Sequence, residues 1–230
     1  MLEVAVTAKS FLAREDLRAA LTRACPDAKI RFWDQTTQPA EFVNLANVLL
    51  VGGEKIDEAF LQTCPQLRLI SKYGVGLDNI DQDACLKRGV QVAYAPGVNA
   101  DAVAELTLGF MIATSRNIAK ASEANKARTW LKNGGRELRF QTVGLLGLGH
   151  VGKRVAKLLR AVGVQSILAC DLVAMPEFCG ENGIIQTTLL DLVSRVDILS
   201  LHVPLTPQTY HVINAKLLAQ MKSNSILINT

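Results

Sequence analysis

The run Thr142-Val143-Gly144-Leu145-Leu146-Gly147-Leu148-Gly149-His150-Val151-Gly152 constrains this chain more than any other stretch of it. An apolar strand enters a glycine turn and a helix leaves it. Gly147, Gly149 and Gly152 stand in G-x-G-x-x-G spacing. In such a turn the first glycine permits a tight reversal and the second lets a pyrophosphate approach the backbone. The third lets the helix pack closely on the strand. The unpaired N–H groups and positive end of the helix then face the phosphates. A second strand, residues 166–170, ends at Asp171, 19 positions after Gly152. A carboxylate there accepts hydrogen bonds from an adenosine ribose and repels a 2′-phosphate, which predicts NAD rather than NADP. A lone glycine triplet is a weak signal. A glycine-rich turn in an unrelated α/β domain would not account for the acid.

The 230 residues suffice for one large domain or two small ones, and 49% hydrophobic content is ample for buried cores. No apolar run is long enough to span a bilayer, and the N-terminus lacks the layout of a secretory signal. A net charge of +4 without a basic tract argues against a nucleic-acid partner. Arg128, Lys132, Arg136 and Arg139 read as a solvated face. Five cysteines (Cys25, Cys64, Cys85, Cys170, Cys179), odd in number and without C-x-x-C spacing, fit a reducing, cytoplasmic setting. Cys170 ends a strand and reads as core filling. Three histidines without a ligand cluster argue against a metal site.

Residues 1 to about 100 alternate strand and helix. Strands are expected at 4–6, 29–33, 48–51, 67–71 and 90–94, and helices at 15–23, 56–63 and 81–88. Val48-Leu49-Leu50-Val51 is continuously apolar, as a strand covered on both faces must be. Residues 99–132 read as mainly helical, interrupted near Arg116 and Asn117, and as a bridge between two domains. The apolar set Val103, Leu106, Leu108, Phe110, Met111 and Ile112 is broader than a surface helix needs. It suits burial against a partner subunit or within the chain. After the glycine motif come strands at 166–170, 184–185, 197–201 and 225–229, with helices at 189–194 and 214–221. The rhythm implies parallel sheets with helices on both faces. A chain stopping at Thr230, on a buried strand, reads as part of a longer protein.

Three loops can carry chemistry. Tyr73-Gly74-Val75-Gly76-Leu77-Asp78-Asn79 follows a strand, where ligands of open α/β sheets gather. Its successive N–H groups could bind an anion; an ordinary strand-to-helix turn explains the residues equally well. Asn99 stands where it could cap the long helix, and Asp101 and Glu105 suit the helix dipole. His202, before Pro204, is either an acid/base at the second sheet's edge or a residue that fixes its loop. His150 offers its backbone to a pyrophosphate, and His211 looks peripheral.

Taken in order, the Tyr73–Asn79 loop, the stretch Asn99 to Thr107, the glycine motif and His202-Val203-Pro204-Leu205-Thr206 resemble the D-isomer-specific 2-hydroxyacid dehydrogenases. The likeness is greatest to the D-3-phosphoglycerate dehydrogenase branch. The resemblance implies two doubly wound α/β domains with a cleft between them. Residues 1–100 would be a flavodoxin-like substrate domain and 101–230 an incomplete Rossmann NAD-binding domain. It implies that Val75 and Gly76 donate N–H bonds to a substrate carboxylate, with Asn99 bordering the pocket. Thr107 and Thr230 would border the nicotinamide, His150 and Val151 the pyrophosphate, and Asp171 the ribose. His202, Val203 and Pro204 would line the cofactor. A homodimer formed through the Rossmann domains is implied as well.

The family's catalytic arginine, glutamate and histidine fall after the position of Thr230. Residues 1–230 alone are therefore expected to hold NAD weakly and not to turn over a 2-hydroxy or 2-oxo acid. An NAD(H)-sensing protein similar to the C-terminal-binding corepressors is the non-enzymatic alternative. Formate dehydrogenase is a third reading, which Tyr73-Gly74-Val75-Gly76 fits less well. For a phosphorylated substrate, Lys72 and Arg116 are the candidate cations.

Overall fold

The apolar run Val48–Val51 is the middle strand of one of two parallel sheets in the computed structural model, which describes residues 1–36, 39–132 and 134–230. Two units divide the chain, Met1–Val98 and Asn99–Thr230. The first holds strands β1 (Leu2–Val6), β2 (Ala28–Phe32), β3 (Val48–Val51), β4 (Leu69–Lys72) and β5 (Gln91–Ala93). They are all parallel, in the order β2-β1-β3-β4-β5. Parallel neighbours need crossovers, and helices α1 (Lys9–Leu12), α2 (Glu15–Ala24), α3 (Pro39–Val43), α4 (Glu58–Gln62) and α5 (Gln82–Lys87) punctuate them. Leu49 and Val51 are buried with Ile56, Leu61 and Ile70 on one face of the sheet. Val48 and Leu50 pack with Val4, Val6 and Phe11 on the other. That double cover is why β3 lacks polar alternation. Asp57 and Asp81 start α4 and α5 by accepting the N–H groups of Phe60 and Ala84.

The second unit opens with α6 (Ala100–Ser115) and α7 (Ile118–Lys126). The break at Arg116–Asn117 is real, with Asn117 left-handed at φ 52°. Helix ends at Lys126 rather than continuing to Lys132. The sheet consists of β6 (Thr142–Leu146), β7 (Ser166–Cys170), β8 (Ile184–Gln186), β9 (Ile198–Leu201) and β10 (Ile226–Asn229), ordered β10-β9-β6-β7-β8 and parallel throughout. Helices α8 (His150–Ala161), α9 (Pro176–Glu181), α10 (Leu189–Arg195) and α11 (Ala215–Leu218) complete it. Helix α6 is a layer of this unit. Its Ala104 and Met111 are buried with Val155, Ala156 and Leu159 of α8. Among the described residues no helix is long and apolar enough to cross a membrane.

One local expectation fails. Asn99 occupies the N-cap position of α6, but its side chain makes no capping bond. Its backbone sits at φ −103°, ψ 8°. A capping side chain swings back over the first turn from an extended backbone, and this conformation does not provide one. Its Oδ1 is left buried and without a partner.

A single cation ties the far side of the second sheet together. Arg160, in the last turn of α8, donates to the carbonyls of Val164, Gln165, Asn182 and Gly183. Those carbonyls come from the turn into β7 and the turn into β8, so one guanidinium fixes the spacing of two strand starts. Charge-assisted bonds of this kind are the strong ones. Arg160→Leu should lower stability by about 2 kcal/mol. Arg160→Lys should recover only part of it, because a point charge cannot serve a fork of acceptors. Urea unfolding of the two variants checks this.

Candidate functional site

In the second sheet the chain runs outward from β6 through β7 to β8, then returns to place β9 on the other side of β6. Beyond the carboxyl ends of β6 and β9 lies the topological switch point, the place where open α/β sheets bind ligands. The glycine turn is built into it. Gly147 has φ 99°, and a Cβ there would stand 2.7 Å from the His202 carbonyl oxygen of the neighbouring loop. A Cβ on Gly152 would overlap the Gly147 carbonyl oxygen, so α8 can sit this close to β6 only with glycine at that contact. Gly149 differs from both: a Cβ there meets no protein atom within 4 Å. The space belongs to whatever approaches the turn. No side chain caps α8, whose first turn carries His150, Val151 and Gly152. The helix therefore presents its N–H groups and positive end to that space. The His150 ring is exposed.

Asp171 follows β7 at the same edge. Its Oδ2 accepts the Leu148 N–H at 2.6 Å and its Oδ1 accepts the Val173 N–H at 3.0 Å. These bonds aim the carboxylate and leave each oxygen another lone pair for an incoming hydroxyl. Beside it, Leu172 is fully exposed and Val173 is 60% exposed. Neither belongs to a sequence motif. Their signal was two apolar side chains directly after a strand-ending acid. An open cradle at Gly149, an uncapped helix and a carboxylate with spare acceptor sites together fit a dinucleotide.

His202 fixes its loop. Its N–H donates to the Leu146 carbonyl at 2.7 Å, and Nε2 lies 3.0 Å from the hydroxyl of buried Ser200. Burial lowers the ring pKa to about 4 from the usual 6.5, leaving it neutral near pH 7. Val203 packs near Gly147, while Pro204 is exposed on the same loop. Thr107 and Thr230 meet across α6 and the end of β10, their hydroxyls 3.2 Å apart. The buried Thr107 hydroxyl donates to the Val103 carbonyl at 2.7 Å, so Thr230 is the donor within the pair.

In the first unit, Val75 and Gly76 lie in the loop after β4. Among the described residues neither N–H has a protein acceptor. Lys72 and Asn79 bracket this loop. Both reach the Gly52 carbonyl at the end of β3, Asn79 at 3.2 Å, and Lys72 also donates to the Asn79 carboxamide. Glu54 accepts the Gly52 N–H at 2.6 Å. A Cβ on Gly52 would lie 3.3 Å from the Ala8 Cα, after β1. At the switch point of this sheet, between β1 and β3, the chain thus packs closely on itself, and the open amides lie one strand along. Lys72, a candidate cation for a phosphorylated substrate, is committed to that packing. Arg116 stands past the last turn of α6, the opposite end from Asn99.

Comparison with known proteins agrees with this geometry. Residues 108–230 match the family described as D-isomer specific 2-hydroxyacid dehydrogenase, NAD binding domain. The chain is 37% identical over 193 residues to the D-3-phosphoglycerate dehydrogenase of Methanocaldococcus jannaschii, covering 82% of this chain and 37% of that one. It is 35% identical over 217 residues to the glyoxylate reductase of Thermococcus litoralis, covering 88% and 65%. Among solved structures, the D-lactate dehydrogenase of Aquifex aeolicus, complexed with NAD and lactic acid, superposes with a TM-score of 0.87 at 28% identity. That match covers 99% of this chain and 68% of the other. The chain belongs to the D-isomer specific 2-hydroxyacid dehydrogenase family, and NAD is the cofactor of the domain it matches. It spans between 37% and 65% of the length of the two curated relatives above.

Two expectations follow from the site. Gly149→Val should leave the unfolding midpoint nearly unchanged while weakening NADH binding at least about tenfold, because the new side chain enters only ligand space. Gly152→Ala should instead destabilise by about 2 kcal/mol or more, as it pushes α8 off β6. Urea unfolding and fluorescence titration with NADH separate the two. The second expectation concerns pH. His202 binds its proton less readily folded than unfolded, so its contribution to stability is complete above about pH 6.5 and falls as pH drops toward about 4. Unfolding midpoints measured across that window should show His202→Gln losing roughly one proton of wild-type pH dependence.

Proposed function

We propose that this chain is the cofactor- and carboxylate-binding part of an NAD-dependent oxidoreductase acting on a D-2-hydroxy acid and its 2-oxo partner. The observation that carries the reading is the open space at Gly149, facing an uncapped helix, with Asp171 poised on the adjacent strand. When bound, NAD supplies or takes the hydride. The first N–H groups of α8 hold its pyrophosphate, and His150 contributes backbone rather than ring. Asp171 accepts the ribose hydroxyls and disfavours a 2′-phosphate. His202, Val203 and Pro204 form the wall of the cofactor site, with His202 in a positioning role. Thr107 and Thr230 border the nicotinamide with one hydroxyl pair. Val75 and Gly76 donate their free N–H groups to the substrate carboxylate. Asn99, with Oδ1 unsatisfied, borders the substrate. Proton transfer is assigned by the family resemblance to a histidine outside residues 1–230.

Among substrates, small unphosphorylated 2-oxo acids are the better reading. Lys72 is spent on Gly52 and Asn79, and Arg116 lies at the far end of α6. Similarity to the archaeal D-3-phosphoglycerate dehydrogenase favours 3-phosphoglycerate as a second reading. The reading includes a homodimer formed through α6, whose Leu106 and Phe110 lie one turn apart and are 51% and 44% exposed.

The test is a panel assay on the whole protein, following NADH oxidation with glyoxylate, pyruvate, hydroxypyruvate and 3-phosphohydroxypyruvate. Turnover of an unphosphorylated acid is expected, with NADH preferred over NADPH at least about tenfold and with residues 1–230 alone inactive. Preference for the phosphorylated acid would select the second reading. Absence of turnover on the whole panel would overturn both.

A further inference from the structure

Asp171 does not stand alone at the end of β7. Val173 holds Asp171 Oδ1 through its N–H, and the position of Val173 is set from the next strand. Gln186, the last residue of β8, lies beside Ala169 of β7 in register. Its Nε2 donates to the Val173 carbonyl at 2.7 Å, and its Oε1 accepts the Met175 N–H at 3.0 Å. The Cys179 thiol also approaches Oε1, at 3.9 Å. One carboxamide therefore stands in for a strand along residues 173–175, accepting from one and donating to the other. The Thr187 N–H, immediately after it, bonds the Ala169 carbonyl at 2.8 Å and pins Gln186 to the sheet.

The result is a continuous chain of hydrogen bonds. It runs from the Leu148 N–H in the glycine turn, through the Asp171 carboxylate, to Val173, and from Val173 to Gln186. The segment 171–175 has no strand or helix of its own, and Leu172 and Val173 expose their side chains. Apolar packing anchors its far end, where Met175 lies against the core, and not the stretch next to Asp171. From outside the segment and the glycine turn, two elements bond to it: α9, whose Cys179 N–H donates to the Met175 carbonyl at 2.9 Å, and Gln186, whose carboxamide reaches both Val173 and Met175 and is the outside group bonded to the residue that holds Asp171. A precisely aimed carboxylate needs such support, because a group misplaced by an ångström loses most of its directed hydrogen bonding.

We propose that Gln186 is a positioning residue for cofactor recognition: its carboxamide holds the 171–175 loop so that Asp171 points both oxygens at the ribose. The proposal rests on the reading of Asp171 as the ribose acceptor. It assigns to an edge-strand glutamine, outside the glycine motif, part of the discrimination between NAD and its 2′-phosphorylated counterpart.

The experiment is a double-mutant cycle read by NADH and NADPH titration of the protein, with circular dichroism confirming the fold of each variant. Gln186→Leu removes both bonds at nearly constant volume. Gln186→Glu keeps the acceptor for Met175 and loses the donor to Val173, and it is the variant to use should the leucine protein fail to fold. Either change should raise the NADH Kd about tenfold while changing the NADPH Kd less than about threefold, so that selectivity collapses. In an Asp171→Ala background the same change at position 186 should alter the NADH Kd by less than about twofold. Equal loss of NADH and NADPH, or a full tenfold loss in the Asp171→Ala background, would make Gln186 a structural residue and overturn the proposal. Unchanged NADH binding by both folded variants would overturn it as well. Failure of the unsubstituted protein to bind NADH would instead remove the reading on which the proposal rests.

Discussion

The close approach of α8 to β6 is the contact on which the second unit depends. It is tightest at the turn itself, where a Cβ on Gly152 would overlap the Gly147 carbonyl oxygen. From that point the rest is positioned in turn. The N-terminus of α8 comes to rest over the switch point, and the loop after β9 can close against Gly147. The apolar face of α8 is pressed into the core with Leu145 and Ile167, where α6 can lie against it. A methyl group at residue 152 would act as a wedge at the fulcrum of this arrangement. Burial of Leu159, Val155 and Ala156 supplies the favourable energy, but the glycine contact decides where that energy is collected.

The chemistry of the site is built mainly from backbone. In the function proposed above, anion recognition falls to N–H groups at α8 and in the Val75–Gly76 loop, while Lys72 and Arg160 serve other ends. Lys72 braces Gly52 and Asn79, and Arg160 gathers four carbonyls on the opposite side of the sheet. Amides fixed in a turn need no side-chain ordering when a ligand arrives, whereas a lysine does. His202 follows the same economy. Held neutral by burial, it contributes a loop conformation.

The sequence displayed the elements whose physics is local. Strand β3 was legible from its unbroken apolar run, β6 and α8 from the glycine turn that joins them, α2 from its spacing, and α5 from its glycine stop. The interruption at Asn117 was legible as well. The short helices α1, α3 and α9 were not, because four to six residues are too few to display a helical period. Asn99 misled for a related reason: residue type signals a cap, but the backbone angle that would let it serve is set by the chain on either side. At the site, Gly147, Gly149, Gly152 and Asp171 could be found by spacing alone. Gln186 and Val173 could not, since what joins them is the pairing of β7 with β8, and no spacing rule links residues 13 apart on different elements.

Close packing around Gly52 changes what the first sheet offers at its carboxyl edge. Its strand order is the one that, in other proteins, leaves room for a flavin or nucleotide between the first and third strands. Here a Cβ on Gly52 would already crowd Ala8 across β1 and β3, and Glu54, Lys72 and Asn79 bond the Gly52 backbone from the β4 side. The carboxyl edge of the first sheet is therefore braced before any ligand arrives. The amides of Val75 and Gly76, one strand along, stand on a shelf whose shape is set by the sheet itself and not by what it will carry.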